Sequence, residues 1–319
     1  MKQQQTLEQG RQDAWRDRKR SSQLLAESFE RLGDPKAHRV RCCAEWLTFS
    51  VCPVGHEKRL LHANLCKARL CPVCSWYRSR KLFHHLKAVL HRVAELRPVR
   101  FLFLTLTARN VPPYELSAQI DRLFQAWHRF SRRKWFQTIT IGWFRVLEIT
   151  YNLQKGTYHP HFHVLLAVIP SYFSKRYVRQ EQWVHYWQDA LRVNYTPIVD
   201  IRTVRKKTKD QALEGVAAEA GKYAVKSADY LIPGRPEETD RIVQTLDQAL
   251  RGRRLVTYGG ELREIYREVR EINRSYEDCK CSICQSDMFQ EVYRWNGGLK
   301  GYQLESQISG SLSPVVSFE

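Results

Sequence analysis

Three alternating histidines give the clearest chemical signal in this sequence. They lie in residues 158–166, Tyr-His-Pro-His-Phe-His-Val-Leu-Leu. The period-two alternation predicts a β-strand, in which His161 and His163 point to one face and Phe162 to the other. Two imidazoles on one face of a strand can bind a single metal ion, while the phenylalanine between them anchors the strand in the core.

A third ligand is expected on the preceding stretch, which also reads as a strand and is separated from the histidines by turn-forming residues. If Asn152 pairs with Thr157, Glu148 lies opposite His161, with Cβ atoms about 4.5–5.5 Å apart. Glu148, His161 and His163 then form a two-histidine, one-carboxylate site for a divalent ion. A one-residue slip would turn Glu148 away. The alternative is that these are ordinary polar residues of a half-exposed strand.

An Ala-rich stretch at residues 210–230 reads as a helix that carries a candidate nucleophile. On it, a carboxylate, a tyrosine, a lysine and a second tyrosine share one face, at Glu219, Tyr223, Lys226 and Tyr230. Positive charge from Lys226 and the neighbouring Lys222 would favour the phenolate, whose ordinary pKa is about 10. The alternative is a surface helix whose Glu–Lys and Tyr–Lys pairs add only local stability. Tyr230 is the second candidate for the nucleophile.

Six of the nine cysteines lie early in the chain, at positions 42, 43, 52, 66, 71 and 74. The pair Cys71-x-x-Cys74 can bind one Zn²⁺ through both thiolates, and Cys66 is within reach as a third ligand. The fourth ligand would be Cys43 or Cys42, and the weaker candidates are Cys52 and His62. A redox-active pair is the alternative, but the extra cysteines and the basic surroundings favour a structural zinc site.

A second group of thiols, Cys279, Cys281 and Cys284, lies near the C-terminus. These three residues could form another zinc site, but no fourth ligand is evident from the sequence. Whether they bind metal stays open at this point.

Composition favours a nucleic-acid partner. The 319 residues include 52 Lys+Arg against 33 Asp+Glu, which gives a net charge of +19, and a hydrophobic fraction of 43% that is enough for a core. A positive excess of this size indicates a protein that binds a polyanion, and DNA is favoured over a membrane surface as that partner. The alternative is a basic protein whose charge serves only solubility. The residues expected to contact the DNA backbone are Arg129, Arg132, Arg133, Lys134, Arg205, Lys206, Lys207 and Lys222.

Targeting signals are not apparent in the sequence. The N-terminus is polar, and no apolar run approaches the roughly 20 residues of a membrane span. We therefore expect a cytoplasmic protein whose cysteines are free thiols or metal ligands.

The hydrophobic pattern predicts an α+β protein. Residues 99–107 form the strongest strand signal, and their near-continuous apolarity places them centrally in a sheet. Helices are expected at 76–96, 114–136, 172–192, 237–251 and 261–273. The predicted segments are a charged, solvent-exposed helical arm (1–37), a zinc-binding segment with a basic helix (38–96), a domain carrying the histidines and the tyrosine (97–232), a helical C-terminal region with a cysteine cluster (233–305) and a disordered tail (306–319).

Three motifs, in order, resemble those of bacterial rolling-circle plasmid replication initiators, with the branch of small staphylococcal plasmids the most similar. They are Phe103–Asn110 (Phe-Leu-Thr-Leu-Thr-Ala-Arg-Asn), His159–Leu166 and Glu219–Tyr230, and the cysteine segment Cys66–Cys74 also looks like that branch. The resemblance covers roughly residues 38–232. It implies the fold of an HUH endonuclease: a central antiparallel sheet carrying the histidines, flanked by helices, one of which bears the nucleophile.

The resemblance also implies a reaction. Tyr223 would attack a phosphodiester at the plasmid's double-strand origin, leaving a 5′-phosphotyrosine link and a free 3′-OH primer. His161 and His163 would bind Mg²⁺ or Mn²⁺, and Glu219 would activate water for the terminating cleavage. Glu148 as third ligand rests on the hairpin count and on similarity to related nucleases. His159 could be a ligand or a residue that supports the ligands, and we favour the second role.

The partners that follow from the resemblance are plasmid origin DNA, single-stranded or extruded at the nick site, and the host helicase and DNA polymerase. The compartment is the bacterial cytoplasm. No membrane partner is expected, and a homodimer is left open.

Two other functions stay open. An HUH transposase or conjugative relaxase would use the same histidines, but the Glu219/Tyr223 pair and the zinc segment weigh against it. A non-catalytic, zinc-dependent DNA-binding regulator would bind DNA without forming a covalent adduct, and it leaves the histidine strand unexplained.

Overall fold

The computed structural model describes residues 2–204, 215, 230–272 and 280–308, with side chains from residue 13 onward. The chain folds into two compact units. The cysteine unit comprises residues 1–74 and 274–319, and the histidine unit comprises residues 75–273. The five segments expected from the sequence stay a prediction. The two compact units divide the chain differently, because one of them contains both the N-terminal and the C-terminal residues. Apart from Gly215 and Tyr230, the tyrosine helix expected at 210–230 lies outside the described residues, as does Cys279.

Nine strands and eight α-helices are assigned within the described residues. The strands are β1 (Trp46–Val51), β2 (Lys58–Ala63), β3 (Arg100–Thr107), β4 (Thr140–Asn152), β5 (Thr157–Val168), β6 (Val199–Thr203), β7 (Val256–Gly260), β8 (Phe289–Asn296) and β9 (Gly301–Ile308). The helices are α1 (Lys2–Arg31), α2 (Lys36–Arg41), α3 (Pro72–Leu96), α4 (Leu116–Ser131), α5 (Lys134–Ile139), α6 (Gln180–Leu191), α7 (Pro236–Leu250) and α8 (Glu261–Ile272). Across the same residues, we find no helix with an apolar stretch long enough to span a bilayer.

The histidine unit is built on an antiparallel sheet in the order β6-β3-β5-β4-β7. The apolar strand β3 lies inside the sheet, between β6 and β5, as its composition predicts. The α+β class expected from the sequence is confirmed.

Helices cover both faces of this sheet. On the face shared by His161 and His163, α3 and α8 pack on the sheet in a cluster that includes Leu86, Val89, Leu90, Val93, Phe101, Phe144, Val146, Leu165, Leu262 and Ile265. The opposite face packs against aromatic residues of α4, where the ring of Phe162 lies 5.6 Å from Phe124 and 6.2 Å from Trp127. The histidines therefore occupy a strand whose alternate side chains are fixed in the core.

Phe162 is the anchor of that strand. It is fully buried, and such burial contributes about 1.5–3 kcal/mol. The buried guanidinium of Arg145 lies 4.4 Å from the centre of the Phe162 ring, and burial lowers the pKa of Arg145 to about 10. A cation over an aromatic face adds attraction to this packing.

The cysteine unit has a second antiparallel sheet in the order β2-β1-β8-β9. Its α1 contributes the buried side chains Trp15, Leu25 and Phe29, so this part of the helix is not the solvent-exposed arm that we expected. The long helix packs because one side of it is apolar in its second half.

The expectation of a helical C-terminal region is only partly correct. The helices α7 and α8 are present, but β7, β8 and β9 are strands, and β9 includes residues 306–308 of the expected tail. The aromatic and β-branched residues of 289–295 favour strand structure, and Gly297-Gly298 supplies the turn before β9. The sequence of β8 alone is a weak indication of a strand, because β8 pairs with β1, which lies far away in sequence.

Candidate active site

The hairpin β4–β5 has the register expected from the sequence: Asn152 pairs with Thr157, and Glu148 pairs with His161. Its turn explains why the register does not slip. The side-chain Oδ1 of Asn152 accepts hydrogen bonds from the backbone N–H groups of Gln154 and Lys155. Gly156 has a φ of 62° and donates its N–H to the Asn152 carbonyl at 2.8 Å. A positive φ of this kind favours glycine.

The three predicted donors converge at this register. His163 Nε2 lies 2.8 Å from Glu148 Oε2, and His161 Nε2 lies 3.4 Å from the same oxygen. The two Nε2 atoms are 3.1 Å apart. Glu148 and His161 are buried and His163 is half-buried, so His163 is the most accessible of the three donors.

The rings of both histidines are oriented by contacts at Nδ1, the ring nitrogen that does not face Glu148. His161 Nδ1 donates to the backbone carbonyl of His159 at 3.0 Å, and His163 Nδ1 lies 3.3 Å from Thr105 Oγ1. A donor at Nδ1 leaves the lone pair of a neutral imidazole at Nε2, which is the nitrogen that faces Glu148. The His159 carbonyl thus fixes a proton on His161 Nδ1, so His161 Nε2 can bind metal once it gives up the proton shared with Glu148. Thr105 Oγ1 can accept from His163 Nδ1 in the same way.

Electrostatics keep the third donor charged. Burial alone would raise the pKa of Glu148, but hydrogen bonds and charge from His161 and His163 lower it to about 2. Glu148 is therefore a carboxylate throughout the neutral range.

The spacing of the donors fits a particular kind of ion. A divalent ion bound at about 2.1 Å with right-angled positions needs neighbouring donors about 3.0 Å apart. The three separations here are 2.8, 3.1 and 3.4 Å. Three adjacent donors of an octahedral ion leave three positions for water or substrate. The three residues therefore fit an open site for a divalent ion better than a closed structural site.

Other residues expected at this site fall in two groups. His159 stacks on His161 with ring centres 4.9 Å apart and does not join the three donors, which favours its supporting role. Tyr230 is fully buried, which disfavours it as a nucleophile for a macromolecular substrate. The remaining candidates, Tyr223, Glu219, Lys226 and Lys222, lie outside the described residues.

The expected zinc ligands also come together. The sulfur of Cys43 lies 3.6 Å from that of Cys74 and 3.5 Å from that of Cys71, and Cys66 lies 3.6 Å from Cys74. A tetrahedral zinc with Zn–S bonds of about 2.3 Å needs sulfurs about 3.8 Å apart. We call these four residues the first cysteine cluster, and all four are buried. Four thiolates at this spacing fit a structural zinc ion.

Helix α1 supports this cluster. Lys19 Nζ donates to the carbonyls of Arg41 and Cys43, both at 2.7 Å, and Ser22 Oγ lies 3.3 Å from Cys71 Sγ. Burial lowers the pKa of the Lys19 ammonium, and the charge of Cys43 acts in the opposite direction. Because zinc with four thiolates carries a net charge of −2, a neighbouring cation offsets the burial of that charge.

The structure also separates the alternatives for the fourth ligand. Cys42 is half-buried and lies 3.8 Å from His38, and His62 pairs in β2 with Thr48. Neither belongs to the first cysteine cluster. Cys52 instead lies with Cys281 and Cys284. His56, which the sequence did not single out, faces the same three sulfurs, and its only sequence signal is the Cys-x-x-x-His spacing from Cys52.

The expected DNA-contacting residues are divided. Arg129 of α4 donates to the Ala190 carbonyl at 2.8 Å, and Arg133, just before α5, pairs with Asp189, so both contact α6. Arg132 and Lys134 are exposed. The structure does not bring these four residues to the histidines, since α4 lies on the opposite face of the sheet. Arg205, Lys206 and Lys207 lie outside the described residues.

Comparison with known proteins gives one consistent result. The sequence model of the Rep_1 family, described as "Replication protein", matches residues 57–303. A protein named "Protein rep" from Bacillus amyloliquefaciens is 37% identical over 323 residues, which cover 93% of this chain and 95% of that protein. No solved structure matches the chain.

Two further relatives carry the same name. "Protein rep" from Streptococcus pneumoniae is 35% identical over 308 residues, covering 93% of this chain and 94% of the relative. "Protein rep" from Staphylococcus aureus is 32% identical over 223 residues, covering 69% of this chain and 95% of the relative. The similarity thus includes both nearly full-length and shorter proteins.

Proposed function

The chain belongs to the replication-protein family of rolling-circle plasmid replication initiators, and we propose that it acts by nicking origin DNA as a metal-dependent HUH endonuclease. The observation that carries the proposal is the convergence of Glu148, His161 and His163 on donor spacings of 2.8–3.4 Å. A sequence-specific binder without catalysis has no use for a buried carboxylate and two oriented imidazoles.

The triad has a defined role in this proposal. Glu148, His161 and His163 hold Mg²⁺ or Mn²⁺, which when bound polarises the scissile phosphate and stabilises the charge that develops on it. The chain itself supplies the orientation, because the His159 carbonyl and Thr105 fix the two rings before any substrate arrives.

The proposed nucleophile is Tyr223. Its phenol loses a proton, and the oxygen attacks the phosphorus at the nick site. A bond forms between phosphorus and the tyrosine oxygen, the bond to the 3′-oxygen breaks, and that oxygen takes up a proton to become the primer hydroxyl. One phosphodiester is exchanged for another, so the step needs no ATP. Lys226 and Lys222 favour the phenolate by their charge.

Glu219, four residues before Tyr223 in sequence, is proposed to act in the terminating cleavage. It would accept a proton from the water that attacks the second scissile phosphate. The water oxygen forms a bond to that phosphorus, the bond from phosphorus to the 3′-oxygen breaks, and the 3′-oxygen takes up a proton, so the reaction ends in hydrolysis.

DNA contact is proposed for the basic residues of the expected set other than Arg129 and Arg133. Arg132 and Lys134 are exposed, and the side chain of Arg132 contacts His128, four residues earlier. Together with Arg205, Lys206, Lys207 and Lys222 they would neutralise phosphates without reading bases. Arg129 and Arg133 are the weaker candidates for DNA contact, because their side chains already bind Ala190 and Asp189 of α6.

The test is a covalent-adduct assay. A labelled single-stranded oligonucleotide from the cognate origin is incubated with Mn²⁺ and the full chain, then run on a denaturing protein gel. We expect a labelled protein band for wild type and for Tyr230→Phe, and none for Tyr223→Phe or with EDTA.

The other outcomes are equally informative. A band that is lost only in Tyr230→Phe would move the nucleophile to a residue that is buried here. Binding of the oligonucleotide with no adduct under any divalent ion would overturn the proposal and favour the non-catalytic regulator.

A further inference from the structure

We propose that Cys52, His56, Cys281 and Cys284 form a second zinc site, separate from the first cysteine cluster, that joins the two parts of the chain from which the cysteine unit is built. We call these four residues the second cysteine cluster. Cys52 and His56 belong to the turn between β1 and β2, and Cys281 and Cys284 lie just before β8. The inference does not depend on the nicking activity.

The donor spacing supports tetrahedral coordination. The sulfurs of Cys52 and Cys284 are 3.5 Å apart, and His56 Nδ1 lies 3.9 Å from the sulfur of Cys52 and 4.0 Å from that of Cys281. All four donor atoms lie within 4.8 Å of one another. Zinc with bonds of about 2.3 Å to sulfur and 2.0–2.1 Å to nitrogen requires separations of about 3.6–3.8 Å.

Cys52 and His56 lie on one turn, and Cys281 and Cys284 lie on another. Each turn is stabilised by its own backbone hydrogen bonds. In the first turn, Cys52 N–H donates to the Glu57 carbonyl at 2.8 Å, and Gly55 N–H donates to the Cys52 carbonyl at 2.8 Å. Gly55 has a φ of 82°, which favours glycine there. These bonds bring Cys52 and His56, four residues apart, to the same side of the turn.

The second turn is a Cys-x-x-Cys knuckle. Gln285 N–H donates to the Cys281 carbonyl at 2.9 Å, and Cys281 N–H donates to the Ser286 carbonyl at 3.0 Å. Gln285 adopts a positive φ of 58°, which is uncommon for a side chain of this kind. The two sulfurs of a knuckle closed in this way can bind one ion.

A carboxylate holds the two turns together. Glu57 accepts hydrogen bonds from the backbone N–H of Ser282, at 3.1 Å, and from the Ser282 hydroxyl. Cys52 and Cys281 are buried beside Met288, while His56 is exposed. The hydrogen bonds of Glu57 and the packing of Cys52 and Cys281 on Met288 hold the four donor atoms close to one another. Such supporting contacts orient the ligands of a metal site.

A disulfide is the competing chemistry for these thiols. The Cys52 and Cys284 sulfurs, at 3.5 Å, are well beyond the S–S distance of about 2.05 Å. A disulfide would also leave Cys281 and the His56 nitrogen beside it without a function. Three thiols and an imidazole at one point favour zinc over a pair that is oxidised.

The proposed zinc has a specific structural consequence. Cys52 and Cys284 are 232 positions apart, and the whole histidine unit lies between them in sequence. Strand β1 must therefore find β8 across a very long loop, whose closure is entropically unfavourable. An ion shared by the β1–β2 turn and the segment before β8 would hold that pairing closed.

The test counts zinc in the full chain. The variant His161→Ala/His163→Ala is used as background, because it removes any zinc bound by the triad. After dialysis against a weak chelator, we expect two zinc ions per chain in this background, measured by mass spectrometry of the metal. Adding Cys281→Ser or His56→Ala should lower the count to one, while Cys42→Ser, which changes a cysteine outside both clusters, should leave it at two.

Two further measurements keep the test decisive if a variant misfolds. His56→Cys should restore four donors and a count of two. Titration of the denatured, unreduced wild-type chain should find all nine cysteines as free thiols. A count in the background variant that Cys281→Ser leaves unchanged, or the loss of two thiols to a disulfide, would each overturn the second zinc site. None of these results bears on the covalent-adduct assay.

Discussion

The donor sets of the two units differ in chemistry, in spacing and in the way the chain assembles them. The triad of the histidine unit has separations of 2.8–3.4 Å, comes from one hairpin and leaves coordination positions open. The first cysteine cluster has sulfurs 3.5–3.6 Å apart, is buried and comes from segments that are separate in sequence. The first arrangement suits an ion that exchanges ligands during a reaction, and the second suits an ion that replaces a hydrophobic core.

This difference predicts which unit depends on its metal. The histidine unit has a sheet with helices on both faces, a large apolar cluster on one face and aromatic residues on the other. Around the second cluster, by contrast, the apolar core formed by described residues consists of Met288 and the cysteines themselves. We therefore expect metal loss to unfold the cysteine unit and to inactivate, but not unfold, the histidine unit.

The largest expected effect is that of Cys71→Ser in the first cysteine cluster. Structural zinc contributes roughly 10–16 kcal/mol in finger peptides, so losing this ion should destabilise the cysteine unit by more than about 5 kcal/mol. Hydrogen exchange should show amide protection lost in β1, β2 and β8 and retained in β3, β4 and β5. Cys42→Ser is the matched control and should change neither set. Equal loss of protection in both sheets after Cys71→Ser would remove the proposed contrast.

The next effect is that of His161→Ala on activity. Loss of one of three donors should lower the nicking rate by about 10²–10³-fold, the range for removing a group that stabilises charge in the transition state. The thermal unfolding of the histidine unit should stay close to that of wild type. The rate of adduct formation at saturating Mn²⁺ is the measurement.

Thr105→Val serves as the graded comparison for that variant. It keeps all three donors and removes only the oxygen that lies 3.3 Å from His163 Nδ1. Loss of such an orienting partner lowers metal affinity or activity by about 10–100-fold. If Thr105→Val were as inactive as His161→Ala at saturating Mn²⁺, orientation rather than donor number would limit the reaction.

A smaller effect is expected from Phe162→Leu, which tests how firmly the strand is anchored. The change removes part of a fully buried ring between the two histidines and should cost about 1–2 kcal/mol of stability. Phe124→Leu, on the other side of the same contact, is the control, and its smaller burial predicts a smaller loss. Denaturant unfolding of the two variants provides the comparison. A larger loss from Phe124→Leu would mean that α4, not the strand, limits the packing.

The same contrast explains how much the sequence could predict. The position of Glu148 opposite His161 followed from counting residues across one hairpin, because period-two alternation and turn chemistry fix a local register. The knuckle Cys71-x-x-Cys74 is local in the same sense. No such counting rule connects Cys52 with Cys281, since their proximity depends on β1 pairing with β8.

The missed elements have the same origin. Strands β8 and β9 were expected to lie in a helical region and a disordered tail, because each becomes stable only beside a partner strand. His56 carries no signal beyond its spacing from Cys52. Long-range pairing thus limited the prediction of these elements.

The smallest expected effect is that of Glu291→Gln on the cysteine unit. Lys58 Nζ lies 2.7 Å from Glu291 Oε2, and Tyr293 donates to the same oxygen at 2.9 Å. Burial alone would raise the pKa of Glu291, but these hydrogen bonds lower it below its ordinary 4.5. Its contribution to stability is therefore fully present above about pH 4.5 and is lost as the pH falls through the lowered value.

Urea unfolding of wild type and Glu291→Gln at several pH values measures that contribution. We expect a difference of about 1 kcal/mol at pH 7 that shrinks below pH 4.5. A difference that stays constant down to pH 3 would mean that the glutamine disturbs packing, not charge. A difference that rivals Cys71→Ser would mean that ion pairs between β1, β2 and β8, and not the bound metal, hold the cysteine unit together.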